Sequence, residues 1–185
     1  MKTTSKIANH APLGLLGFGL TTILLNLVNA GITEQTIVVC AMGIAVGGLA
    51  QIVAGILEYK NGNTFGGTAF TAYGFFWLSL VLIWINPWSE NLAGANNISM
   101  GFYKMFWGVF TGFMFIGALK HNMITRLIFG SLALLFFTIA LGDFTGVLAI
   151  TRIAGWIGII TGALALYSSV GQIINNEYKR EVFPL

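Results

Sequence analysis

Six times along the chain a long apolar run is broken by a short polar one. The runs fall at residues 13–30, 37–57, 68–86, 102–119, 124–141 and 147–170. Each is close to the 20 or so apolar residues that one helix needs to cross a bilayer core. The breaks carry turn and charge signals at 31–35, 58–67, 86–99, 120–122 and 142–146. Within the runs apolarity is continuous and does not alternate, which predicts helices and argues against a transmembrane β-barrel. Pro87 stands just past the third run, where it interrupts no hydrogen-bond ladder. The expected fold is an all-α integral membrane protein, with six transmembrane helices per protomer packed as a compact, glycine-rich bundle around a solute path.

Composition agrees. Hydrophobic residues make up 56% of the chain and charged ones 8%, against roughly a quarter charged in soluble domains. Nine basic residues are spread along the chain and form no patch, so no nucleic-acid partner is expected. Cys40 is the sole cysteine, which excludes an intramolecular disulfide and a cysteine metal cluster. Lys2 and Lys6 before the first run, with Val28-Asn29-Ala30 after it, imitate a signal peptide. That run is longer than a signal's apolar region, and Gly14, Gly17 and Gly19 suit helix packing, so it is read as a retained helix. The chain then divides into an N-terminal segment (1–12), the membrane domain (13–172) and a C-terminal tail (173–185).

The basic residues orient it. Six crossings put Lys2, Lys6, Lys60, Lys120, Arg126, Lys179 and Arg180 on one side, and Lys104 and Arg152 on the other. Seven against two places both termini in the cytoplasm, across a cytoplasmic (inner) membrane. Glycine is frequent, at 24 residues, and Gly43-xxx-Gly47, Gly108-xxx-Gly112 and Gly158-xxx-Gly162 predict close helix contacts. Gly47, Gln51 and Gly55 are expected to share one face of the second helix.

Enzyme signatures are missing: there is no HExxH, GxSxG or Walker motif, and no pair of carboxylates inside the membrane. His10 and His121 lack companions at metal-ligand spacing, so neither a metal nor a cofactor is expected. The segment 62–68 reads as a tight turn in which Asn63 or Thr64 caps the third helix. Polar residues inside the runs carry more information, because they are costly in lipid and face a bundle interior or water. Phe18, Thr22, Asn26 and Asn29 recur at three- and four-residue steps, on one face of the first helix. Intramembrane threonines can bond back to their own helix, whereas Asn26 and Gln51 carry amides expected to need other partners. No lysine or arginine falls at mid-depth. A neutral molecule, or a monovalent anion moving with a proton, suits such a path better than a multiply charged ion.

Several stretches resemble a known family. Asn9-His10-Ala11-Pro12-Leu13-Gly14-Leu15 is similar to the N-P-A-P-L-G-L signature of the succinate–acetate permease family, the acetate uptake transporters. The stretches 17–22, 58–66, 68–70 and 73–74, and Gly155-Trp156-Ile157-Gly158, are similar in order and spacing. His10 departs from the pattern, standing where the family usually has proline, while Pro12 is kept. The resemblance implies a homo-hexamer with one path per protomer, carrying acetate and in some members succinate or related short carboxylates. It also implies a Phe–Leu–Tyr constriction, at positions that correspond to Phe18, Leu132 and Tyr73. Thr22, Asn26 and Gln51 are then the expected polar lining. Glu58 is a candidate proton carrier, with hydrogen bonding to Asn63 or Thr64 as its alternative role. A channel for formate, ammonia or urea, and a non-transporting sensor or scaffold, remain the other readings.

Overall fold

The computed structural model describes residues 8–185; Lys2 and Lys6, which contribute to the charge bias, lie outside them. Six helices follow in order: α1 (Ala11–Asn29), α2 (Ile37–Lys60), α3 (Thr64–Ile85), α4 (Asn97–Ala118), α5 (Met123–Thr145) and α6 (Leu148–Tyr178). Five of them are long and apolar enough to cross a membrane. The sixth, α4, is equally long, but Asn97, Ser99, Tyr103 and Lys104 in its first turns lower its hydropathy.

Capping explains where the boundaries differ from the apolar runs. The third helix begins before residue 68 because Asn63 accepts a hydrogen bond from the Gly66 amide at 3.0 Å. It ends at Asn86, in the left-handed region at φ 43°, with Pro87 next. The fourth begins before residue 102, because Asn96 and Ser99 form a reciprocal capping box. The sixth continues past residue 170 to Tyr178, and Lys179 then reverses the chain at φ 53°. Asn175 fixes the reversal: its amide donates to the Phe183 carbonyl at 2.8 Å and its oxygen accepts from the Val182 amide at 2.7 Å. The last residues therefore fold back along α6 instead of trailing away.

The helices form a ring in chain order. Neighbours pack from α1 to α2, α2 to α3, α4 to α5, α5 to α6, and α6 back to α1. The backbones of α3 and α4 stand further apart, and aromatic rings fill that seam. Phe76 packs on Tyr103 and Trp107 at centroid distances of 5.7 and 5.2 Å. Glycine sets the closest approach, between α1 and α6. A Cβ on Gly162 would lie 2.8 Å from the Gly19 carbonyl oxygen, and one on Gly158 would collide with Asn26. Gly43 and Gly47 pack on Val81, Thr21 and Trp77, and Gly108 on Phe136 and Phe137. Gly112 has nothing within 4 Å, so the expected contact of the 108–112 pair is only half realised within one chain.

The second helix departs from a regular α-helix. Over Gly43–Ala50 it is π-wound, with one residue more per hydrogen-bonded ring. Gly47, Gln51 and Gly55 are all buried on the inward side of α2, with Gly17 of α1 beside Gln51 and Thr71 of α3 beside Gly55.

Candidate functional site

Two cavities lie within the ring. One, of about 290 Å³, opens toward the end that holds His10, His121 and Gln172. The other, of about 190 Å³, lies toward Asn29, Gln35 and Lys104. Their linings have three residues in common: Phe18 from α1, Tyr73 from α3 and Leu132 from α5. All three are buried, at 6%, 3% and 3% exposure. The Phe18 and Tyr73 rings are tilted at a centroid distance of 6.0 Å. Each cavity is large enough for several waters, at about 30 Å³ per water, and the three apolar side chains stand between them.

Tyr73 is fixed on every side. Its ring touches Trp107, Phe110 and Phe129 at 5.7 to 6.3 Å. Its hydroxyl lies 3.0 Å from Thr111 Oγ1, and Thr111 donates its own proton to the Trp107 carbonyl at 2.7 Å. A threonine hydroxyl has one proton, so Tyr73 must be the donor in that pair. The phenol proton is thus committed to α4, and Tyr73 offers the narrowing the face of its ring.

The polar lining divides between the cavities. Thr22 and Asn26 line the smaller one, and Gln51 the larger. Contrary to expectation, both amides find a local partner one turn back. Asn26 Nδ2 donates to the Thr22 carbonyl at 2.8 Å, and Gln51 Nε2 to the Gly47 carbonyl at 2.7 Å. In α2 that carbonyl belongs to the π-wound stretch. Asn26 Oδ1 accepts in turn from Asn29 at 3.0 Å, while the buried Gln51 Oε1 has no partner. Fixed amides with spare hydrogen-bonding capacity beside an apolar narrowing can replace part of a small solute's hydration.

Glu58 is buried at 5% exposure and lines neither cavity. Its Oε2 accepts from Asn63 Nδ2 at 2.6 Å, and Asn63 lines the larger cavity. The carboxylate therefore stands one side chain behind the wall, in the hydrogen bond that its alternative role anticipated. Thr68 is bonded to the Tyr59 hydroxyl at 2.9 Å, and Ser131, Thr138 and Thr161 bond back to carbonyls one turn earlier.

The lining also includes His121, Lys104 and Trp77, which nothing in the sequence places there. His121 stacks on Phe65 at 4.5 Å in the larger cavity; only the folded loop brings it there. Lys104 and Trp77 line the smaller one. His10 accepts or donates with Asn61 at 2.9 Å, away from both linings. Among the described residues no three His, Cys, Asp or Glu side chains come together as a metal site would need.

Comparison with known proteins gives a consistent result. The model of the GPR1/FUN34/yaaH family matches residues 1–184. The succinate-acetate/proton symporter SatP of Escherichia coli (strain K12) is 51% identical over 181 residues, covering 98% of this chain and 96% of that protein. Ammonia transport outward protein 2 of Saccharomyces cerevisiae is 39% identical over 183 residues, covering 93% of this chain and 64% of its own. A solved structure of the bacterial acetate channel SatP superposes with a TM-score of 0.95 at 51% identity, covering 97% of this chain and 99% of that one.

Proposed function

This chain belongs to the GPR1/FUN34/yaaH family, and from that premise we propose that it carries acetate, and with it succinate or other short carboxylates, across the cytoplasmic membrane. The observation that supports this most is the pair of cavities meeting at Phe18, Tyr73 and Leu132. We take these three as the gate, Thr22, Asn26 and Gln51 as polar lining, and both termini as cytoplasmic. The larger cavity then faces the cytoplasm and the smaller one the exterior.

The gate is apolar and no fixed cation stands among its three side chains. A carboxylate crossing it loses hydration with no counter-charge at hand, which favours passage together with a proton. Glu58 is the group we assign to that proton. Glu58→Gln keeps an acceptor for Asn63 but cannot bind and release a proton. It is expected to abolish acetate accumulation driven by an inward proton gradient while leaving acetate exchange at equal pH in place. Loss of both, or of neither, excludes Glu58 from proton transfer.

A homo-hexamer is the assembly we propose. Phe102, Phe106, Val109, Phe113 and Ile116 expose an apolar stripe along α4 in the single chain, beside the uncovered Gly112. A stripe of that kind suits a neighbouring protomer as well as lipid.

Uptake of labelled acetate into proteoliposomes, with formate, ammonium and urea as competitors, tests the cargo. Uptake above empty liposomes, reduced by short carboxylates and unaffected by ammonium and urea, is the expected result. The yeast relative named for ammonia transport favours a second reading. Ammonia flux without acetate flux would establish it in place of the first.

A further inference from the structure

The smaller cavity contains one charged group that the gate and its polar lining do not use. Lys104 lies in the second turn of α4 and lines this cavity; of the lysines and arginines among the described residues, no other lines either cavity. Its ammonium is 2.7 Å from Asp143 Oδ2 of α5, with the two side chains 19% and 18% exposed. Of this pair Lys104 lines the cavity and Asp143 does not. Trp77, 2% exposed, lines the same space, and its Nε1 has no hydrogen-bond partner. The benzo edge of this indole faces Gly43, which leaves the Nε1 edge turned from α2. The cavity is thus lined by a lysine and by an indole whose buried N–H is unpaired.

We propose that Lys104, positioned by Asp143, is an anion-receiving group that draws carboxylates into the outer cavity. This rests on the carboxylate reading above and adds a station to it. A lone ammonium in a partly dehydrated cavity would pair with a carboxylate and hold it, since charge-assisted hydrogen bonds are about twice as strong as neutral ones. Conduction requires binding that is strong enough to admit a solute and weak enough to release it. The Asp143 carboxylate at 2.7 Å offsets most of the charge, so the pair attracts an anion on approach and competes with it once bound. Among the described residues no lysine or arginine lines the larger cavity.

Lys104→Gln combined with Asp143→Asn removes both charges without orphaning either, in side chains of nearly the same shape. In proteoliposomes, labelled acetate uptake is measured across a concentration series at about 0.01 M and about 0.3 M sodium chloride, equal on both faces. The double variant is expected to raise the half-saturating acetate concentration about three- to tenfold at low salt, reaching only the bottom of the roughly 10- to 1000-fold range for steering by a charged cleft. The loss falls on half-saturation rather than on the maximal rate, and the wild type's rise with salt flattens. Lys104→Arg, with Asp143 kept, is expected to restore the salt dependence. The proposal is overturned if the double variant, migrating as the wild type does on size exclusion, keeps the wild-type half-saturation and salt dependence. It is equally overturned if Lys104→Arg shows the same flattening, because the pair would then only tie α4 to α5. Wild-type protein that passes no acetate at all contradicts the transport reading instead, so the two failures are distinct.

Discussion

Phe18→Ala is expected to raise acetate flux and to admit a branched carboxylate such as trimethylacetate that the wild type excludes. Phe18 is one of three side chains common to both cavities, and its ring meets Tyr73 at 6.0 Å. Removing it deletes one wall of the narrowing without touching a hydrogen bond. Tyr73 cannot move in to compensate, because Thr111, Phe110 and Phe129 hold it in place. Discrimination then depends on the cavity widths, which exceed one small acid. A buried Phe→Ala change costs about 3–5 kcal/mol; Phe18 borders open space on two sides, so the lower end of that range applies. Flux ratios for acetate and trimethylacetate in proteoliposomes measure the effect. An unchanged ratio, with flux intact, removes Phe18 from the gate.

Gly155→Ala is expected to be the most damaging change to the fold made by a single methyl group. The added Cβ would collide with the backbone nitrogen of Ala30 at the end of α1. Collision with backbone cannot be relieved by a rotamer change, as it could at a flexible side chain. Overpacking of this kind costs typically 1–3 kcal/mol, and here it acts on the closest helix pair in the ring. Separation of α1 from α6 also shifts Thr22 and Asn26, which lie on α1 and line the smaller cavity. The thermal midpoint in detergent should fall by several degrees, with acetate flux falling alongside. Gly62→Ala provides the contrast. Its φ of +77° suits glycine and would strain an alanine, but nothing lies within 4 Å of the added Cβ, so stability falls without a change at the cavities.

Much of the fold was legible because a bilayer writes its thickness into sequence length. The six runs and their breaks became six helices, with boundaries moved by Asn63 and Asn96, whose caps extend helices into polar sequence. The polar face of α1 was legible for the same reason: 3.6-residue periodicity puts Phe18, Thr22, Asn26 and Asn29 on one side, and all four line the smaller cavity. Features that depend on register between helices were not legible. Nothing in the sequence pairs Lys104 with Asp143, or turns the Tyr73 proton toward Thr111. The π-wound stretch of α2 was hidden as well, since Gly43–Ala50 reads as an ordinary apolar run. In sequence the fold-back at Asn175 is indistinguishable from a plain tail, because one asparagine near a terminus carries no signal until its three partners are in place.

On the proposed function, acetate crosses the membrane at the point where Phe18, Tyr73 and Leu132 meet. Leu132→Cys in a Cys40→Ser background puts a single thiol there, since Cys40 is the chain's only cysteine. Labelled acetate uptake is followed before and after a small methanethiosulfonate, with the extent of modification read by mass spectrometry. Uptake should fall to the level of empty liposomes on modification and return when the reagent is removed by reduction. Unchanged uptake through protein whose Leu132→Cys thiol is fully modified would contradict the account.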